Sequence, residues 1–442
     1  MFNKSKNTRQ IGFYSSFEEQ LNHQHPLYLL AGKINWQLFE DAFRPLYHRE
    51  TGRPAKPIRL MVSLLILKHV RNLSDESVVM QWAENCYYQY FSGEKMFACA
   101  QPCEPSELVH FRHRIGEEGI ELILKESIRV NGDDSNDPHV SVDTTVQEKN
   151  ITYPTDDKLY KKIIRKCQQI TQQEQLPLRQ SYTRTLKKLS INQRFRNHPK
   201  NKNKARKADR KVKTIAGRLV RELQRNLPPQ SRHQIDIELF KKVLAQQRND
   251  SNKIYSLHEA EVQCISKGKE HKKYEFGNKV SVTITQNTGV ITGAMGFRNE
   301  YDGNTLEAAL AQTEKLTGHA PQTATVDRGY KGKTQIGETR IQIPKPFNPK
   351  TISKYKQTQL KKCFGRRAAI EPVISHLKTD YRLGRNFYKG IFGDNINIML
   401  SAAAFNFKRM MNKWKSSFLA LWQNLILTIR YWILPEDYLY TR

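Results

Sequence analysis

The strand-forming run HVSVDTTVQEK (139–149) is separated from the next strand pattern, KVSVTIT at 279–285, by a block that reads as helix over 156–250. This order constrains the fold more than any other feature. A strand cannot stand alone in water, so the first run must find partners far along the chain. The helical block between them is then an insertion. After it come a hairpin (KVSVTIT, turn QNTG, VITGAMGFR), an amphipathic helix GNTLEAALAQTEKLTG ending at Gly318, and short strands QTATV and RIQIP. A helix over 364–383 follows, then a C-terminal helix, NINIMLSAAAFNFKRMMNKW, whose apolar face should pack on the sheet. Without the insertion this is one mixed sheet with helices on its faces, an α/β domain over 131–155 and 251–410.

Residues 12–130 read as helical, giving an amino-terminal domain over 1–130. PIRLMVSLLILKHVRNL is apolar nearly all round and should be buried. Ser74 and Ser106 are the expected N-caps, with helix ends at Gly93 and near Gly116. Short turns between such helices allow either a helix-turn-helix or a plain bundle. Arg112, His113 and Arg114 would sit near any recognition surface. NGDDSNDP (131–138) is a turn-rich linker, and 411–442 forms a helical tail.

The formal net charge is +30 and the pI about 9.8. Such an excess calls for a polyanionic partner, nucleic acid first and an acidic membrane surface second. The insertion holds 26 Lys and Arg against 8 Asp and Glu. Its centre carries Arg194, Arg196, Lys202, Lys204, Arg206, Lys207, Arg210, Lys211 and Lys213, which suit phosphate contacts rather than base reading. The bland alternative is a solvated charged hairpin. FLALWQNLILTIRYWIL (418–434) contains Gln423, Asn424 and Arg430, which are costly in lipid; it reads as a packing helix, not a span. No secretory signal is visible, and six dispersed cysteines suit a reducing cytosol. Cys99, Cys103, His110 and His113 lack zinc-finger spacing.

Three acidic residues call for a chemical explanation. Asp143 sits inside a strand, where aspartate is disfavoured. Asp327 ends a later strand, where α/β sheets place their sites, and Gly329 and Gly332 allow a sharp turn after it. Glu371 precedes Pro372, so its helix either begins there or bends there. A helix running through would put Arg367, Glu371 and Lys378 on one face. Three carboxylates without His or Cys suit hard cations, magnesium above all. Two such ions can drive an in-line displacement at phosphorus, with Arg367 and Lys378 neutralising phosphate oxygens.

VSVDTT, DRGYKG and RRAAIEPVISHLKTDYRLGR resemble the DDE transposases of bacterial insertion sequences, in the insertion-sequence-five group. PIRLMVSLLILKHVRNLSDESVVMQWAENCYYQYFSG with FRHRIG resembles that group's helical amino-terminal domain. The resemblance implies an RNase-H-like catalytic sheet, with Asp143, Asp327 and Glu371 as the catalytic and metal-binding triad for two Mg2+ or Mn2+ ions. Relatives carry tyrosine, arginine, glutamate and lysine at fixed intervals; here Arg367, Glu371 and Lys378 match, while Phe364 replaces the tyrosine. The implied activity is binding of terminal inverted repeats, then strand cleavage and transfer into target DNA, by a homodimer in the bacterial cytoplasm, at the nucleoid. The basic insertion is read as DNA-binding from its charge, not from the resemblance. A nuclease without strand transfer, an inactive DNA-binding descendant and a scaffold for RNA remain alternatives.

Overall fold

The computed structural model describes residues 16–47, 54–266, 272–298, 300–330, 332–343 and 352–433. Two compact units emerge from the chain: Met1–Gln147 with Lys279–Arg442, and Glu148–Asn278.

The first unit opens with helices α1 (Phe17–Gln20), α2 (Pro26–Lys33), α3 (Trp36–Phe43), α4 (Ile58–Val70), α5 (Asp75–Glu84), α6 (Cys86–Phe91) and α7 (Pro105–Val130). α4 is buried along almost its whole length, as its continuous apolar run requires. Ser74 caps α5 by accepting the Ser77 N–H at 3.0 Å. The single helix expected up to Gly93 is two. Asn85 leaves helical geometry and caps α6 through the Tyr88 N–H at 3.1 Å. Ser106 is not the cap of α7. Pro105, whose ring fixes a φ suited to the first helical position, moves the cap back to Glu104, which shares a reciprocal capping box with Glu107. Gly116, at φ 66°, kinks this helix instead of ending it, and it resumes to Val130.

Strand β1 (His139–Lys149) follows and carries the chain to the second unit. There α8 (Asp156–Gln173), α9 (Thr183–Asn192), α10 (Pro199–Asn226) and α11 (Gln234–Ala245) enclose their own core, in which Ile163 and Ile164 meet Ile215, Leu219 and Phe240. Strand β2 (Gln263–Ser266) pairs antiparallel with the first residues of β3 (Tyr274–Thr285). The insertion is therefore a folded helical unit with its own core.

The chain re-enters the first unit along β3. It continues through β4 (Ile291–Phe297), α12 (Asp302–Thr317), β5 (Thr323–Val326), β6 (Gln335–Ile336), β7 (Thr339–Gln342), α13 (Lys354–Ala368), α14 (Ile370–Thr379), β8 (Arg385–Asn386) and α15 (Gly390–Ile433). β3 and β4 form the expected hairpin, antiparallel with a register shift at Thr283/Ile284. β3 neighbours β1, β1 runs parallel to β5, and β5 runs parallel to β7. The order β4–β3–β1–β5–β7, with a hairpin on one side and parallel strands on the other, is the mixed RNase-H-like sheet expected from the sequence.

Side-chain alternation places two cores on its faces. Val140 and Val142 of β1 and Ala324 and Val326 of β5 pack on α12 through Leu306, Ala309 and Leu310. A larger core joins Val280, Val282, Ile291 and Ala294 to α4, α7, α14 and α15. α15 is continuous from Gly390 to Ile433, with no break at 411. Side chains beyond Lys415, in which the apolar stretch 418–434 falls, lie outside the described residues. Among the described residues no helix is long and apolar enough to cross a membrane.

Candidate active site

Asp143 and Asp327 are brought together by strand register. Val142 of β1 pairs with Val326 of the parallel strand β5, and each aspartate is the next residue along. Adjacent strands lie about 4.8 Å apart, so two carboxylates leave neighbouring strands side by side. Asp143 follows Val142 within β1, and Asp327 follows Val326, the last residue of β5, leading into the turn at Gly329.

Local hydrogen bonds orient both groups. Asp143 Oδ1 accepts the N–H of Thr144 at 2.7 Å. Asp327 Oδ1 accepts the N–H of Gly329 at 2.8 Å, a tight turn that ends the strand. Its Oδ2 lies 3.4 Å from Arg367 Nη2, an ion pair between groups 44% and 30% exposed. Of the two glycines that follow, Gly332 alone has a left-handed φ, at 112°.

Arg367 closes the last turn of α13. Ala369 separates it from α14, and the break has a plain cause: Pro372 has no N–H to give to the Ala368 carbonyl. The interruption falls just before Glu371, so the glutamate lies near a helix start, one residue from where a helix beginning at Glu371 would place it. Ala369 itself keeps helical angles, φ −62° and ψ −20°. Glu371 is exposed in the first turn of α14, and Lys378 is half-buried in its last. Among the described residues no three His, Cys, Asp or Glu side chains gather to hold a metal ion. Asp143 and Asp327 thus follow paired residues of neighbouring strands, and Glu371 lies on α14, without the three forming a ready metal-holding group among the described residues. The side chain of Phe364 lies outside the described residues.

Sequence reasoning missed the surroundings of this pair. Asp302, the first residue of α12, receives Lys279 Nζ at 3.0 Å. A Cβ at Gly329 would lie 3.7 Å from Asp302 Oδ2 and 4.0 Å from Asp327 Oδ1, so the two carboxylates flank that glycine. Tyr330 is buried with its hydroxyl lacking a well-aligned hydrogen bond. Burial pushes its phenol upward, and the charges of Asp302 and Asp143 push the same way. In the sequence Asp302 looks like any acidic residue opening a helix.

The basic residues of the insertion are all on its surface. Arg194 and Arg196 lie in the turn before α10, and Lys202, Lys204, Arg206, Lys207, Arg210, Lys211 and Lys213 line the exposed side of that helix. Its other side buries Ala205, Ala208, Val212 and Ile215. Arg196 is paired with Asp209 at 3.3 Å. Arg112 is buried rather than displayed on an open surface, with both terminal nitrogens on Asp75 at 2.8 Å. His113 is exposed and stacks on Phe392, and Arg114 lies over Tyr47. Cys103 is buried and Cys99 exposed, with no zinc cluster among the described residues.

An RNase-H-like sheet with paired aspartates on adjacent strands defines a class of enzymes that act at phosphorus. The comparisons narrow it. Residues 15–114 match the family described as Transposase domain (DUF772), and residues 257–407 match the Transposase DDE domain. The chain belongs to the DDE transposases, phosphoryl-transfer enzymes that act on DNA and generally use divalent metal. It is also 40% identical over 187 residues to a Rhizobium meliloti protein named "Uncharacterized protein ORF8 in nfe locus", covering 41% of this chain and 90% of that protein. No solved structure matches it significantly. Asp143 falls outside both matched spans, and its strand β1 pairs with β5, which lies inside the second.

Proposed function

We propose that the chain binds the terminal inverted repeats of an insertion sequence of the insertion-sequence-five group and both cuts and joins DNA strands, as a homodimer. The observation that supports this best is the pair Asp143 and Asp327, one step past a shared register on parallel strands. Their donors are all oxygen, which fits hard divalent cations. When bound, such ions polarise the phosphoryl oxygens and lower the pKa of an attacking water or 3′-hydroxyl. The chain's own residues position the rest. Gly329 fixes one oxygen of Asp327. Arg367, already beside the other, is placed to turn to a phosphate. Glu371 completes the triad if the junction at Ala369 swings it toward the aspartates. The nucleophile's oxygen forms a bond to phosphorus as the bond to the 3′-oxygen breaks.

The insertion's exposed cations are assigned to phosphates along the bound duplex, contacts that position without specifying sequence. The test is strand cleavage on DNA carrying the element's ends with Mg2+. Asp143→Asn, Asp327→Asn and Glu371→Gln should each abolish cleavage and leave DNA affinity intact. Persistent cleavage in any of them removes that residue from the site. Joined products from a 3′-hydroxyl donor separate a transposase from a nuclease. A wild-type chain that binds the ends and never cuts them would instead favour an inactive DNA-binding descendant.

A further inference from the structure

A cavity of about 580 Å3 lies beyond the carboxyl end of α14, the end away from Glu371. Small-ligand sites commonly span about 300–1,000 Å3. Its floor is Tyr388. Lys68 Nζ and Arg112 Cζ each lie 4.5 Å from the centre of that ring, and Lys68 donates to the Tyr388 hydroxyl at 2.8 Å. Asp75 binds both cations, Lys68 at 2.9 Å and Arg112 at 2.8 Å. One partly buried carboxylate therefore faces two buried cations, which are 3% and 4% exposed. Glu76 is the only other acid in the lining, while Arg382 and Lys389 add two more positive charges.

The walls are flat rings. Phe387 is 58% exposed, with the Arg382 guanidinium 5.6 Å from its centre. His113 and Phe392 stack at 5.0 Å and 19°. Arg382 is held at φ 67°, a conformation unfavourable to a side chain, with Nη1 donating to the Asn72 carbonyl at 3.3 Å. Strain of this kind persists where the surroundings enforce it, often at binding sites.

Surplus positive charge beside exposed aromatic faces suits one ligand class above others, a nucleotide. Its phosphate meets the cations and its base lies on a ring. An acidic peptide would satisfy the charge but leave the ring faces without a flat partner. We propose that this cavity holds one unpaired nucleotide of the DNA strand on which the chain acts. The proposal rests on the transposase reading for its source of DNA.

The experiment compares full-length chain binding to a fully paired duplex and to the same duplex carrying a one-nucleotide bulge, by fluorescence anisotropy with metal chelated. The bulged duplex should bind about 5- to 100-fold more tightly, the range that base–aromatic stacking supplies. Phe387→Ala and Lys389→Gln, both at exposed positions, should each remove most of that preference while leaving affinity for the paired duplex unchanged. A bulge preference that is absent, or that survives Phe387→Ala, overturns the proposal. So does competition by a free nucleoside 5′-monophosphate at submillimolar concentration, which would mark the source as a soluble nucleotide. A change of sedimentation with Phe387→Ala and no change in bulge preference would mark the patch as a contact between chains. Loss of cleavage in Asp143→Asn is read separately, so either idea can fail while the other stands.

Discussion

Replacing Asp75 by asparagine tests the buried charge cluster most directly. The carboxylate accepts three short hydrogen bonds, from Lys68 and both terminal nitrogens of Arg112. Burial alone would raise its pKa, but the bonds and charge of Arg112 and Lys68 hold it at about 2 instead of 3.8. A drop of nearly two pH units corresponds to roughly 2.5 kcal/mol favouring the charged form in the folded state. The sign follows from linkage: this stability is complete above the unfolded pKa and is lost as pH falls through about 2. Asparagine mimics the protonated form at every pH and also points an amide donor at two cations. Breaking a buried pair this way costs about 3–5 kcal/mol. The assay is urea unfolding followed by tryptophan fluorescence, since buried Trp82 sits on the same helix. The exposed Glu118→Gln serves as control. Adding Lys68→Met to Asp75→Asn should recover at least about 1 kcal/mol, because one stranded cation is then removed. Asp75→Asn within about 0.5 kcal/mol of the parent at pH 7 would refute the reasoning.

His69 is fully buried, and burial together with Lys68 pushes its pKa down to about 3. The unfolded chain takes up that proton first, so stability falls with pH below about 6.5; the loss from pH 7 to 5 should be about 2 kcal/mol, read from urea midpoints, and His69→Gln should flatten it. Replacing Lys202, Lys204, Lys207 and Lys211 with glutamine should lower the slope of log affinity against log salt by up to about 3.6, at about 0.9 per phosphate; an unchanged slope removes α10 from the DNA interface. Arg367→Ala should shift stability by less than about 1 kcal/mol, since its pair with Asp327 is partly exposed, yet greatly slow cleavage; normal cleavage would confine Arg367 to a surface contact.

What could be read from the sequence was what is periodic or locally punctuated. Alternating valines around Asp143 and the glycine after α12 announced strand and helix end without tertiary help, and the structure agrees. The parallel pairing of β1 with β5 was beyond reach, since it joins residues on either side of a 131-residue unit whose composition obscures the continuity of the sheet. The Lys68–Asp75–Arg112–Tyr388 cluster was equally hidden. Each of its members reads as an ordinary surface charge or ring, and only packing α15 and the chain before it on α4 and α7 makes them one object.

Glu371 shows where sequence and structure meet. Pro372 announces a break near it, and the break is at Ala369. The same missing hydrogen bond that interrupts the helix leaves Glu371 in the first turn of a short helix whose other face is anchored by Ile370, Val373 and Leu377. We propose that Glu371 reaches Asp143 and Asp327 by a movement at this break. Removing the break should then separate binding from chemistry. Pro372→Ala restores the N–H to the Ala368 carbonyl and should leave DNA affinity unchanged while slowing single-turnover cleavage. Equal or faster cleavage would show that the glutamate needs no such movement.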